Sequence, residues 1–576
     1  MANLSKIKRD NLIDRIERLK AQYTDDEDTR LLLNNIINEL TEKKYGLVWE
    51  RHKERVDDEM ETGIPVFKEN IDAEIVSNPE LPYNFLLEGD NLHSLKLLEK
   101  THEGKIDVIY IDPPYNTGNE DFMYDDNFVE EDDDYKHSKW LSFMYERLII
   151  ARKLLSKKGF IFISIDDKEA SQLKILCDEI FDENLYEKTD YIQVRYPEKT
   201  LKTDMRYHKE IEQVLIYRKS YDAIPFQKPE QYDYGKFIYS FEELSEGHEI
   251  ELGGKKVVVL KKGEYKIVKH KEGFKEGLKE IWATGTILNG NSSGRFFRDY
   301  LDGRKEIDGL GVLYKVYGIG DDSYDYRYFT GPQRQDATKG KYFQGVPLDK
   351  LEEGATKLKP IPNFYDMAGD FGNIRQEGGV AFNSGKKPIK LIKMYLKYLE
   401  SKDITVLDFF AGSGSTGHAV LSLNAEDGGN RKFILCTNNQ NNICEKVTYV
   451  RLKNVINGYG KHAGIPANLK YYKTDFVDKY SDDPDYFIED KLMEHIVEMI
   501  QLENSIRIDN NKCVVLLTDE EAEEFENNID SYHPIKVYID RTVFLSQKIK
   551  NKLDTEGVEI LPIPDYYFAK DIKGGN

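Results

Sequence analysis

The chain has 576 residues, 40% of them hydrophobic and 32% charged, with a mean hydropathy of −0.62. That exceeds one ordinary core of about 100 to 200 residues, so two or three domains are expected, and no apolar run approaches the ~18 to 20 residues that cross a bilayer. A formal charge of −22 argues against a protein that coats nucleic acid by bulk attraction, and four cysteines without a CxxC pair support neither a disulfide scaffold nor a structural zinc.

Residues 1–45 place Ile7, Leu12, Ile13, Ile16 and Leu19, then Leu32, Leu33, Ile36, Ile37 and Leu40, at helical spacing around a TDDEDT break. The pattern predicts a helical hairpin whose apolar stripe closes either on the main body or on a second copy of itself. Its start turns amphipathic at once, without the apolar stretch of a secretory signal, which makes the cytoplasm the expected location. Residues 46–82, charged and broken by Pro65, Pro79 and Pro82, read as a connector. From 83 to 220 come short apolar runs suited to buried parallel strands: Asn84 to Leu87, Ile106 to Ile111, Gly159 to Ile165 and Ile211 to Tyr217, with helical periodicity from Trp140 to Leu155. Residues 221–385 turn polar, aromatic and glycine-rich, and read as a separate domain of β-hairpins inserted into the sheet. Within it, Lys255 to Lys279 carries nine lysines against three glutamates. This stretch is either a phosphate-facing surface or a solvated hairpin with lysines on its edges. The alternation resumes over 386–460, with a helix from Pro388 to Leu399, a strand from Thr405 to Phe410, a glycine loop, a helix to about Leu423 and a strand from Lys432 to Thr437. Residues 461–576 are mixed α/β in character and acidic. The predicted fold class is α/β, a doubly wound, mostly parallel sheet.

Two motifs fall at the C-terminal ends of predicted parallel strands, where open α/β sheets bind ligands. In VLDFFAGSGSTG, Val406 to Gly417, a strand ending in Asp408, Phe409 and Phe410 runs into a glycine turn that opens a helix. Gly412 and Gly414 let the backbone pass close to a ligand, and the helix start offers free N–H groups. Gly412, Gly414 and Gly417 formally match the dinucleotide fingerprint, a weak signal alone. A nicotinamide enzyme also needs an acid at the next strand end, whereas Glu426 and Asp427 precede that strand. The second motif, Asp112-Pro113-Pro114-Tyr115, directly follows IDVIYI. Prolines donate no N–H, so the Asp112 carboxylate and the Pro113 carbonyl can accept both hydrogens of an exocyclic amino group such as adenine N6. Tyr115 can stack on the base, worth roughly 1 to 3 kcal/mol. That bonding aims the nitrogen lone pair at a methyl donor by positioning, and a base inside a duplex must be flipped out to reach it.

The segments Glu88 to Glu169, with EGDNLHSLKLLEK, IDVIYIDPPYNTGN, HSKWLSFMYERL and GFIFISIDDKE, and Lys387 to Asn457, with KPIKLI, DFFAGSGSTGHAV, GGNRKFIL and NNICEKV, resemble amino-methylating DNA methyltransferases of the β arrangement. Within that family the likeness is greatest to the modification subunit of type III restriction-modification systems. The resemblance implies the S-adenosylmethionine-dependent methyltransferase fold, S-adenosyl-L-methionine as cofactor, double-stranded DNA as substrate and 221–385 as an inserted target-recognition domain. It gives Asp112, Pro113, Pro114 and Tyr115 the catalytic role, and Asp408, Phe410, Ala411, Gly412, Gly414 and Thr416 the cofactor's methionine end. Asp90 becomes the partner of the cofactor adenine, and Lys387 and Pro388 open a helix beside the cofactor. An aspartate at the head of the catalytic motif favours adenine N6 over cytosine N4. Similar enzymes hold the cofactor ribose with an acid just after the second strand, where this sequence reads TNNQNN with Gln440, a weaker acceptor than a carboxylate.

The resemblance further implies a homodimer acting on a short asymmetric site. With no GxxxxGK[ST] loop in the chain, cleavage falls to a separate restriction subunit carrying helicase and nuclease. Candidate DNA contacts in the insertion are Lys255, Lys256, Lys261, Lys262, Arg295, Arg298, Arg327, Arg334 and Gln335. No proline precedes a cysteine, which excludes the cytosine-C5 mechanism, and no HExxH or clustered His/Cys set predicts a metal. The alternative is a catalytically weak DNA-binding specificity subunit that needs a partner chain. Gln440 favours that alternative, and the intact Asp-Pro-Pro-Tyr does not.

Overall fold

The computed structural model describes residues 49–118, 133–197, 207–283, 292–381 and 386–569 apart from 321, 338 and 353, with scattered positions between 12 and 37 and the short strands Met123–Tyr124 and Asn127–Phe128. The hairpin expected at 1–45, and any dimer contact through it, lie largely outside the described residues. The chain divides into two compact units, one of Met1–Phe226 with Pro362–Asn576 and one of Gln227–Ile361.

The first unit contains α1 (Arg55–Thr62), β1 (Gly63–Glu69), β2 (Tyr83–Glu88), α2 (Asn91–His102), β3 (Ile106–Ile111), α3 (Lys136–Leu154), β4 (Leu155–Ile165), β5 (Tyr186–Gln193) and β6 (Ile211–Arg218) before the insertion. After it come β7 (Phe364–Asp366), α4 (Ile389–Leu396), β8 (Thr405–Asp408), α5 (Ser415–Asp427), β9 (Lys432–Thr437), α6 (Tyr449–Asn457) and β10 (Asn468–Asp478). These ten strands form one sheet in the order β1-β10-β2-β9-β8-β3-β4-β6-β5-β7. From β10 to β4 all neighbours run parallel, while β6 is antiparallel to both β4 and β5. The predicted α/β class is therefore the observed one. IDVIYI alternates its buried side chains between two covered faces, Ile109 and Ile111 joining the core that holds α2 and α3, and Tyr110 stacking on Tyr395 of α4. Full burial of each such side chain contributes about 1.5 to 3 kcal/mol.

Three boundaries differ from the sequence reading. Residues 46–82 are no free connector, because α1 and β1 lie within them and β1 pairs antiparallel with β10 from Gly63 to Glu69. Pro65 is tolerated there because β1 is an edge strand, where a missing N–H interrupts no ladder. The insertion is shorter than 221–385, since residues 362–381 belong to the sheet unit, where β7 extends the edge beyond β5. Residues 461–576 supply β10 to the main sheet before forming a small parallel sheet of Cys513–Leu516, Lys536–Ile539 and Glu559–Pro562 with its own core around Phe525, Val537 and Leu553.

The second unit is built on a six-stranded antiparallel sheet in the order His248–Leu252, Lys255–Leu260, Leu313–Tyr317, Tyr326–Thr330, Gly340–Gln344 and Lys279–Ala283. Among the described residues no helix is long and apolar enough to cross a membrane.

The N-terminal stretch is locked to the sheet by one buried cation. Arg147 of α3 donates to both carboxylate oxygens of Glu54, at 2.8 and 3.0 Å, to Asn91 at 2.6 Å and to Asp90 at 3.2 Å. Removing one member of a buried ion pair strands the other without water. Arg147→Met is therefore expected to lower unfolding stability by about 3 to 5 kcal/mol, read from the urea midpoint at constant m-value.

Candidate active site

The sheet order explains why the two motifs meet. Strands β3 and β8 are hydrogen-bonded neighbours, Val108 opposite Val406 and Ile109 opposite Leu407, so Asp112 and the glycine turn leave the same sheet edge side by side. Strand β2 ends on the same edge, and Asp90 caps α2 by accepting from the Leu92 N–H at 2.8 Å.

After β3, the Trp140 indole donates to the Pro114 carbonyl at 2.7 Å and fixes the turn. The Pro113 carbonyl has no hydrogen-bond donor among the described residues. The Tyr115 hydroxyl faces two carboxylates, Asp112 Oδ1 at 2.8 Å and Glu212 Oε2 at 3.3 Å, and accepts from Lys387 Nζ at 2.6 Å. Lys387 also pairs closely with Glu212 and lies 3.4 Å from Asp112 Oδ1. Burial pushes the Asp112 carboxyl above its ordinary value, with Glu212's charge adding to it and Lys387 opposing. Burial acts to lower Lys387, but the charges of Asp112 and Glu212 outweigh it and hold the ammonium firmly protonated. The sequence reading set Lys387 beside the cofactor; its amine lies against Asp112, Tyr115 and Glu212. Glu212, on β6, escaped that reading because nothing in IEQVLIYR marks it apart from any strand-edge glutamate.

After β8, Asp408 accepts from the Phe410 N–H at 3.0 Å and from the Thr416 hydroxyl at 2.5 Å, tying the strand end to the first turn of α5. Burial raises its carboxyl to about 7 against those two hydrogen bonds. Gly412 and Gly414 have φ of +47° and +74°, in the left-handed region that favours glycine. Ala411 bonds its N–H to the Cys436 carbonyl on β9 at 3.1 Å. Beneath the loop, buried Arg451 of α6 reaches Ser415 at 2.8 Å, Ser413 at 3.3 Å and Glu377 at 2.9 Å. Phe410 packs on Phe143, which also faces the Arg147 guanidinium 3.6 Å from the ring centre. Asn91 donates to the Phe409 carbonyl at 2.7 Å, so the Asp90 and Asp408 strand ends are bonded to each other. Pro388 stands at the start of α4. His418 is buried and lowered to about 3 by that burial, a neutral packing group against Arg451.

The DNA methylase family matches residues 106–449, more than half of the chain and both motifs. This chain belongs to the DNA methylase family. It is 31% identical over 427 residues to the type III restriction-modification enzyme StyLTI Mod subunit of Salmonella typhimurium, covering 68% of this chain and 58% of that protein. It is 31% identical to the EcoPI Mod subunit of Escherichia phage P1, over 61% of this chain and 57% of that one, and 30% identical to the type II methyltransferase M.KpnI of Klebsiella pneumoniae, over 61% and 79%. The matches to both Mod subunits thus span less than two thirds of those proteins.

Not all the remaining candidate residues of this DNA methylase sit where the sequence reading put them. Gln440 is exposed in a single helical turn three residues beyond β9, its N–H on Asn438 at 3.3 Å. In the insertion, Lys256, Lys261, Lys262, Arg295, Arg298, Arg334 and Gln335 are exposed. Lys256 is paired with Glu249 at 2.6 Å, and Arg298 with Asp299 at 2.7 Å. Lys255 is half-buried and turned onto the Gly318 carbonyl, and with Arg295 it lines a cleft of about 340 Å³ that Phe296 and Tyr300 also border. Arg327 is a correction: it is buried, donating to Asp322 at 3.0 Å and Ser293 at 2.6 Å inside the unit, and presents no guanidinium to a base. Among the described residues no three His, Cys, Asp or Glu side chains converge to hold a metal.

The raised Asp408 carboxyl makes folding favour its proton. Its contribution to stability is present below about pH 4, where an ordinary carboxyl is also protonated, and is lost as pH rises to about 7. The difference between the limits is on the order of 4 kcal/mol. Urea unfolding of the wild type and Asp408→Asn across this window should show the wild type's advantage shrinking as pH rises; parallel curves would remove the assignment.

Proposed function

We propose that this chain moves a methyl group from S-adenosyl-L-methionine to N6 of an adenine flipped out of double-stranded DNA, as the modification and recognition subunit of a type III restriction-modification system. The observation that carries this reading is the juxtaposition of the Asp112 turn and the Gly412–Gly414 turn at the ends of paired strands β3 and β8. The residues fit the cofactor. A side chain added at Gly412 would meet nothing nearer than the Phe410 carbonyl at 3.8 Å, so the loop borders an open cradle, and the Asp90 side chain is 33% exposed at the neighbouring strand end.

Asp90 would hold the cofactor's adenine, and Asp408, Phe410, Ala411, Gly412, Gly414 and Thr416 its methionine end. Bound there, the cofactor supplies an electrophilic methyl group. Asp112 and the Pro113 carbonyl accept the two N6 hydrogens and Tyr115 supplies the stacking face, so the protein's part is to orient the amino group and take up its proton. The cation-rich surface of the insertion would follow phosphates, through Lys261, Lys262, Arg295 and Arg334. The names of the Mod relatives support a restriction partner, and the family resemblance supports a homodimer in the cytoplasm.

Long-read sequencing of DNA from cells expressing the chain alone, scored for N6-methyladenine, should reveal one modified sequence context, and Asp112→Ala should erase it. An unmodified genome would turn the reading towards a specificity subunit, and recovery of the mark in Gln440→Glu would place the fault in the ribose contact. In equilibrium titration, Gly412→Val should lose S-adenosylmethionine binding, because a β-branched residue is strained at positive φ and its side chain enters the cradle. Wild-type affinity in that variant would remove the loop from the cofactor site.

A further inference from the structure

Asp112 does not share its oxygens evenly. Tyr115 at 2.8 Å and Lys387 at 3.4 Å both approach Oδ1, while Oδ2 has no hydrogen bond among the described residues. Lys387, whose side chain is 7% exposed, makes its closer carboxylate contact with Glu212, which comes from β6 across the sheet edge and is 25% exposed. We propose that Glu212 is a positioning residue for methyl transfer: by holding the Lys387 ammonium and sharing the Tyr115 hydroxyl, it leaves Asp112 Oδ2 open to the amino group of the target base. This rests on the methyltransferase reading above.

An ammonium has three donors, and Asp112 is the nearest other anion. Without Glu212 the lysine turns to Asp112, and an oxygen engaged in a charge-assisted bond accepts more weakly from a neutral amino group. The groups facing Asp112 are Lys387 before α4, Glu212 on β6, Tyr110 and Tyr115 on and after β3, and Asp408 on β8. Of these, Glu212 is the like charge that makes Asp112 harder to ionise and Lys387 the cation that makes it easier. Transfer needs Asp112 ionised, so the two variants act in opposite directions.

The test is single-turnover methyl transfer by the full chain across pH, paired with equilibrium titration of S-adenosylmethionine. Glu212→Gln should lower the plateau rate about 10- to 100-fold and move the acid limb down by about one pH unit, with cofactor affinity unchanged. Glu212→Asp, which keeps the charge, should return the limb towards its original position. Lys387→Met should move the limb up. A Glu212→Gln enzyme with the wild-type plateau, or one slowed equally at every pH with the limb unmoved, would overturn the proposal, as would a matching loss of cofactor affinity. A wild-type chain that binds cofactor and DNA but transfers nothing would overturn the methyltransferase reading and this proposal together.

Discussion

The Lys387 ammonium, buried against Asp112, Tyr115 and Glu212, is the interaction on which the carboxyl end of the sheet depends. It draws together β3, β6 and the start of α4. Taking a charge out of water costs several kcal/mol per ion, and the loss is offset only when the partners are numerous and well placed. Here one cation meets two carboxylates and a phenol. Burial raises Asp112, with Glu212 adding to it and Lys387 opposing, while the two carboxylates keep Lys387 charged against its own burial. Such an arrangement adds little to net stability. It fixes the rotamers of Asp112 and Tyr115, and in the proposed reaction orientation would supply most of the rate.

Two arginines do for the Asp90 and Gly412–Gly414 turns what Lys387 does for the Asp112 turn. Arg147 gathers Glu54, Asp90 and Asn91, and Arg451 gathers Ser413, Ser415 and Glu377. Each guanidinium joins segments that are remote in sequence, and its planar fork can satisfy several acceptors at once. They differ in balance. Burial acts to lower both, but Asp90 and Glu54 together hold Arg147 above its ordinary value, while Glu377, with Tyr459 adding to it, leaves Arg451 below. The glycine loop is thus supported by the less fully compensated of the two charges: Ser413 and Ser415 both accept from Nη1, and the buried Nε has no hydrogen-bond partner among the described residues.

What the sequence made legible follows the same physics. Strands written as unbroken apolar runs, such as Ile106–Ile111, announce themselves because both faces are covered. Strand β10 did not, since Lys470 interrupts its apolar pattern, yet that lysine is buried and neutralised by Glu69 and Glu74 from the other end of the chain. In β5 the buried Asp190 is hidden the same way by Lys188 at 2.7 Å. Motif residues at strand ends were legible because their chemistry is local. Glu212, Arg147 and Arg451 were not, because their roles exist only once distant strands are adjacent. Arg327 failed in the other direction: residue type suggested base contact, and Asp322 claims it in the core.

The placement of charge also bears on how the proposed reaction is favoured. Positive charge would leave the cofactor and grow on the amino nitrogen, so groups near the nitrogen gain during transfer and groups near the cofactor's sulfur lose. Only interactions that strengthen towards the transition state raise the rate. In the proposed reaction Asp112 would stand at the nitrogen side, and Asp408, whose carboxyl burial raises to about 7, at the cofactor side. Two carboxyls on neighbouring strands thus differ in their neighbours: Asp112 has the Lys387 ammonium beside it, and Asp408 has the Thr416 hydroxyl and the Phe410 N–H.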